Sequence, residues 1–185
     1  MISLVEQVVA VCDALEEARI PWALGGALAL AYATEEPRGT RDIDVNVFVP
    51  SASAAEVFGA LPAGVRHDAA DLRAVERDDQ VRLFWGDTPL DLFFAAEPFH
   101  HEVAARVQTV PFAGRLIHVL CAEDLAVFKA MFDRGRDWVD IETMVESHSL
   151  DTDVAADRLH DVLGDDDRVA RLRQLGGSPI ADPGR

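Results

Sequence analysis

Three aspartates lie inside apolar, strand-forming runs. Asp42 and Asp44 stand two apart in Arg41-Asp42-Ile43-Asp44-Val45. In an extended chain both side chains leave the same face, and their oxygens can converge on one hard cation. Asp91 lies in Leu90-Asp91-Leu92-Phe93, where an ionised carboxylate is costly unless it is paired or bound to a metal. If its strand lies beside that of Asp42 and Asp44, three carboxylates meet. Such a cluster could hold two Mg2+ ions, one on a nucleoside triphosphate and one lowering the pKa of an attacking hydroxyl. The expected chemistry is in-line displacement of pyrophosphate, with Asp42, Asp44 and Asp91 as metal ligands and Asp91 also as proton acceptor.

Gly25-Gly26 supplies a second ingredient. Glycines at the start of a helix let backbone N–H groups approach phosphate oxygens, where the helix dipole also favours negative charge. Arg38 and Arg41 stand just before the acids and could neutralise phosphate charge, while Thr40 could do no more than cap the loop. Each feature alone has a plainer meaning: Gly-Gly is commonly a turn, and Asp-x-Asp is as often a solvated edge or calcium loop. Their combination within one stretch of chain is what points to phosphoryl or nucleotidyl transfer.

The elements that must position these groups follow from periodicity. Residues 2–19 carry apolar side chains at helical spacing and end at Pro21. Pro21 to Leu24 is a short apolar strand, Gly25-Gly26 a strand-to-helix turn, and Ala27 to Thr34 a helix. Ile43 to Val49 alternates and is rich in β-branched residues, reading as a strand, and Ser53-x-x-Glu56 offers a capping box for a following helix. Residues 62–80 are polar and predict a loop with one short strand. Val81 to Trp85 and Leu90 to Ala95 predict a hairpin around Gly86-Asp87-Thr88-Pro89. A second hairpin is expected at Val107–Phe112 and Leu116–Leu120, then helices over 122–133, 137–148 and 153–163. The run Gly164-Asp165-Asp166-Asp167 reads as a helix end and polar loop, and the segment from Gly176 as a frayed tail. The expected division is a core over residues 1–120, a helical part over 121–175 and a flexible tail over 176–185.

Composition narrows the class of protein. With 185 residues and 49% hydrophobic content, the chain can bury one proper core. A net charge of −16, from 33 acidic and 17 basic residues, disfavours unassisted binding to a phosphate backbone. DNA is therefore not an expected partner. Cys12 and Cys121 lack metal-ligand spacing and give little support to a disulfide, which suits a reducing cytoplasm. No signal peptide is apparent, and no stretch approaches the ~20 apolar residues that span a bilayer, so no membrane association is expected. His100-His101 is a weak zinc candidate, because adjacent histidines on a helix point in different directions. Trp22, Trp85 and Trp138 are dispersed and read as packing residues. Sixteen of the 17 basic residues are Arg, so the single lysine, Lys129, stands out.

The order Gly-Gly, helix, Arg-x-Thr-Arg-Asp-Ile-Asp-Val, hairpin, Leu-Asp-Leu-Phe resembles the polymerase β-like nucleotidyltransferase superfamily over about residues 20–96. Its usual turn is Gly-Ser, so the serine contact to phosphate is missing here. Downstream, Glu123-Asp124-Leu125-x-x-x-Lys129 with Arg134-x-Arg136-Asp137-x-x-Asp140 resembles the helical part of the AbiEii-type toxins of type IV toxin–antitoxin systems. The resemblance implies an α+β nucleotidyltransferase fold: a short mixed β-sheet with flanking helices and a C-terminal helical bundle. It implies that Lys129 contacts phosphate and that Asp137 or Asp140 is the helical aspartate near the nucleotide, although Arg136 and Asp137 could simply form a solvated charge pair. It implies transfer of a nucleoside monophosphate from an NTP to an acceptor on tRNA or protein, with an antitoxin as partner. Two alternatives stay open: a small-molecule acceptor such as an aminoglycoside or lincosamide, or a nucleotide- or partner-binding protein without turnover.

Overall fold

Among the described residues, short apolar runs, alternating over Gln80–Trp85 and Thr88–Phe94 and buried throughout over Trp22–Leu24, build a seven-stranded mixed sheet. The computed structural model describes residues 2–37, 39–96 and 98–177. The strands are β1 (Trp22–Leu24), β2 (Ile43–Val47), β3 (Val65–Arg66), β4 (Gln80–Trp85), β5 (Thr88–Phe94), β6 (Gln108–Phe112) and β7 (Arg115–Val119). Their order is β3-β4-β5-β2-β1-β7-β6. β2 runs parallel to β5 and β1 parallel to β7, while the remaining neighbours are antiparallel. The fold is thus the expected α+β type with a mixed sheet.

One face of the sheet is a continuous apolar layer. The row Val81, Leu92, Val45, Leu24 and Val119 crosses five strands in register, and every member is buried. Leu83, Leu90 and Ile43 form the next row of the same face. This burial locks the pairing, because a slip by one residue would turn the whole apolar set towards water. The polar residues between them, Asp44 and Asp91 included, necessarily occupy the other face.

The chain divides into two compact units, residues 1–28 with 39–120 and residues 29–38 with 121–185. The sheet lies in the first, with helices α1 (Leu4–Glu17), α3 (Ala54–Ala60), α4 (Ala69–Asp78) and α5 (Pro98–Arg106). Helix α2 (Gly26–Thr34) follows β1 directly after Gly25. Ser3 and Glu6 cap α1 reciprocally. Helices α6 (Ala122–Phe132), α7 (Gly135–Glu146), α8 (Thr152–Leu163) and α9 (Asp167–Gly177) build the second unit. Both cysteines are free and buried; burial pushes the thiol of Cys12 up to about 12 and that of Cys121 to about 11. Among the described residues no helix is long and apolar enough to cross a membrane.

Four local expectations are corrected. The stretch 62–80 is not mainly loop: it holds β3 and the ten-residue helix α4, whose start Asp68 and Asp71 make by mutual capping. The polar composition hid an amphipathic helix with Val75 as its buried anchor. Ser53 makes no side-chain cap, because a 3-10 turn over Ser51–Ser53 leads into α3 and takes Ser53 out of the extended conformation a cap needs. The strand after Asp42 ends at Val47 rather than Val49. The polar run 164–167 leads into α9, which continues through Gly176 and Gly177; a Cβ on Gly176 would collide with the Thr152 hydroxyl of α8. The remainder of the expected tail, residues 178–185, lies outside the described residues.

Asp68 carries the start of α4 by accepting from Ala70 and Asp71 N–H at 2.6 and 3.3 Å. Asp68→Ala is expected to lower stability by about 1 kcal/mol, the usual cost of losing an N-cap. Urea unfolding followed by circular dichroism measures it, with an unchanged midpoint contradicting the assignment.

Candidate active site

The site grows from one register. β2 and β5 run parallel with Asp44 directly opposite Asp91, and β5 and β4 run antiparallel with Asp91 directly opposite Arg82. At the end of β1, Gly25 N–H donates to the Asp44 carbonyl at 2.9 Å. Arg82, Asp91, Asp44 and Gly25 therefore form a single row across four neighbouring strands. Asp42 stands outside this row, in the loop just before β2 rather than in the strand as expected, because β2 begins only at Ile43; its carboxylate accepts from the Thr40 hydroxyl at 2.6 Å.

The glycine turn and the carboxylate row touch. Gly26 has φ +52°, a left-handed conformation that glycine adopts without cost, and a Cβ there would overlap the Asp44 carboxylate. A Cβ on Gly25 would press on the Asn46 amide at 2.9 Å, next on the same face of β2. The turn is glycine at Gly26 for both reasons at once, conformation and close approach. The start of α2 and the Asp44 side chain consequently share one place in the fold.

Arg82 is the site residue that the sequence reading missed. Its Nε and Nη2 donate to the two carboxylate oxygens of Asp91 at 2.7 and 2.6 Å, a bidentate fork. The guanidinium is held more firmly protonated than usual, first by its hydrogen bond to Asp91, then by that carboxylate's charge and, more weakly, by Asp42 and Asp44. The signal existed in the hairpin. A four-residue turn over 86–89 would set Phe84 against Asp91, whereas the observed turn is only Gly86-Asp87, with Trp85 paired to Thr88. The two-residue turn moves every cross-strand partner by two positions and brings Arg82 to the acid.

The other predicted residues divide into groups. Arg41 is exposed beside Asp42, and Arg38 lies outside the described residues. Thr40 holds the Asp42 side chain as well as shaping the loop. Lys129, Asp137 and Asp140 form a separate cluster within the helical unit. The Lys129 ammonium is buried, 2.6 Å from Asp140 and 3.9 Å from Asp137. Asp137 is almost fully buried and takes the fork of Arg134, not of Arg136, because three positions along a helix start bring Arg134 to its side. The solvated Arg136–Asp137 pair is thereby corrected.

The donor set of the row, carboxylate oxygens only, suits a hard divalent cation. As they are placed, no group of three His, Cys, Asp or Glu among the described residues is gathered around one point to hold a metal ion. The Asp91 oxygens are directed at Arg82 and an Asp42 oxygen at Thr40. His100 is buried beside the Phe99 ring, and His101 is exposed.

A sequence profile described as nucleotidyl transferase AbiEii toxin, type IV TA system, matches residues 10–183. No curated protein matches the chain. Among solved structures, the solution structure of the antibiotic-resistance factor ANT(2'')-Ia aligns with 92% of this chain and 95% of its own, at 15% identity and a TM-score of 0.61. A crystal structure of ANT(2'')-Ia in complex with adenylyl-2''-tobramycin aligns with 92% and 97%, at 15% identity and a TM-score of 0.58. The lincomycin-bound lincosamide antibiotic adenylyltransferase LnuA aligns with 75% and 94%, at 16% identity and a TM-score of 0.53. At such identities the likeness is one of fold.

Replacing Gly26 by Ala places a methyl group where the Asp44 carboxylate lies and forces a left-handed backbone. The backbone term alone costs about 1–2 kcal/mol. Gly26→Ala is expected to lower the thermal midpoint, whereas Gly39→Ala, with open space around it, is expected to leave it within a degree or so. Equal midpoints for the two variants would refute the close-packed turn.

Proposed function

The chain belongs to the AbiEii family of nucleotidyl transferases, and from that membership we propose that it transfers a nucleoside monophosphate from an NTP to an acceptor with Mg2+ as the required ion. The observation that carries this is the register pair Asp44 and Asp91, flanked by Asp42 and backed by the Gly25-Gly26 turn. Asp42, Asp44 and Asp91 are the groups that would hold the metal. When bound, two divalent ions would neutralise triphosphate charge and acidify the acceptor hydroxyl.

The chain's own residues have distinct tasks in this reaction. The backbone N–H groups at the start of α2 would donate to triphosphate oxygens. Arg41, beside Asp42, would offset phosphate charge, and Arg38 is proposed for the same task from its place in the sequence. The acceptor oxygen forms a bond to the α-phosphorus, the bond from the α-phosphorus to the oxygen leading to the β-phosphate breaks, and pyrophosphate leaves. The acceptor proton goes to Asp91. Lys129 is proposed as the lysine that contacts phosphate and Asp137 or Asp140 as the helical aspartate near the nucleotide; within the helical unit the three form one buried charged cluster.

The family description, a toxin of a type IV TA system, supports a toxin role with a cognate antitoxin protein as partner; tRNA or protein as acceptor and a cytoplasmic setting are proposed along with it. A second acceptor class is favoured by a specific observation. With a net charge of −16, the chain complements a polycation electrostatically, and the folds it resembles include ANT(2'')-Ia with adenylyl-2''-tobramycin.

Labelled NTPs, Mg2+ and either total tRNA, a protein extract or a panel of aminoglycosides and lincosamides separate these acceptors. Label is expected in one acceptor class, to vanish with EDTA, and to fall on the order of 10²-fold or more in Asp44→Ala and Asp91→Ala, the scale of losing several kcal/mol of transition-state charge stabilisation. Transfer that persists at the wild-type level in both Asp44→Ala and Asp91→Ala would overturn the assignment of the row.

A further inference from the structure

Resting on the metal-dependent reading above, we propose that Arg82 and the divalent cation compete for Asp91, so that opening of the Arg82–Asp91 pair controls metal loading of the site. The geometry carries this in three ways. Both Asp91 oxygens are engaged by one guanidinium, at 2.7 and 2.6 Å through Nε and Nη2. A fork of this kind uses the inward lone pairs of both oxygens, the same ones a chelated cation takes. Next, the partner is supplied by register, since Arg82 stands directly opposite Asp91 in the β4–β5 hairpin. Finally, the two side chains differ in freedom. Arg82 is 56% exposed and Asp91 14%, so the guanidinium can swing into water while the carboxylate stays in its row.

Electrostatics makes the exchange balanced. Asp44 and Asp91 are directly opposite like charges on paired strands, an arrangement that is unfavourable without a counter-ion. Arg82 supplies one positive charge to that row and a divalent ion supplies two. Only a cation that brings more charge and direct oxygen coordination displaces a bidentate guanidinium, which sets a threshold on the ion. Once displaced, Arg82 remains tethered one strand away as a free fork for a phosphate oxygen.

Isothermal titration of Mn2+ into the full chain, without nucleotide, tests the competition. Arg82→Gln and Arg82→Ala are expected to bind Mn2+ on the order of tenfold more tightly than wild type, the scale of releasing one charge-assisted pair near the surface. Arg82→Lys, which keeps the charge but loses the fork, is expected in between. Circular dichroism confirms that each variant is folded, and Arg82→Gln serves where Arg82→Ala does not fold. Equal or weaker Mn2+ binding by folded Arg82→Gln, with binding still lost in Asp91→Asn and Asp44→Asn, would overturn the competition and leave the metal site standing. Mn2+ binding indifferent to Asp44→Asn and Asp91→Asn would overturn the metal site itself, and the competition with it.

Discussion

Two like charges held opposite each other across a parallel strand pair are the constraint around which the first unit is arranged. Asp44 faces Asp91 because Ile43, Val45 and Val47 must face Leu90, Leu92 and Phe94 on the buried side. The apolar layer enforces the register, and the register enforces the repulsion. Its relief comes from neighbours the same sheet delivers: Arg82 from the next strand and the glycine turn with its helix start from the other side. Stability in the core and electrostatic tension in the site are two faces of one pairing.

The helical unit handles charge differently. Asp124, fully buried, meets Arg158 at 2.9 Å, and Lys129 meets Asp140 at 2.6 Å. Buried pairs of this kind recover in mutual attraction much of what they lose in hydration, and removing either partner leaves an uncompensated charge. A lysine in this cluster places a compact ammonium among carboxylates where the flat fork of an arginine would require a different geometry.

Membership of the AbiEii nucleotidyl transferases and the physical arrangement of the row rest on separate observations. The family rests on a match over residues 10–183, the row on strand register. At the turn, Gly26 leaves space for the Asp44 carboxylate.

Patterns of two and of three to four residues determined much of this protein locally. Alternation marked Asp44 and Asp91 as charges in strands, helical spacing marked α1 and α6 to α8, and Gly25-Gly26 marked the turn. Local pattern failed where a helix is mostly polar, as in α4, or where a run of aspartates precedes one, as in α9, because a single buried side chain such as Val75 carries too little signal. The pairing of β2 with β5 joins residues nearly fifty apart and has no local signature; only burial of the shared apolar face selects it. Arg82 differs: a hairpin turn of two residues rather than four sends it, and not Phe84, to Asp91, and Gly86-Asp87 is the local signal for the shorter turn.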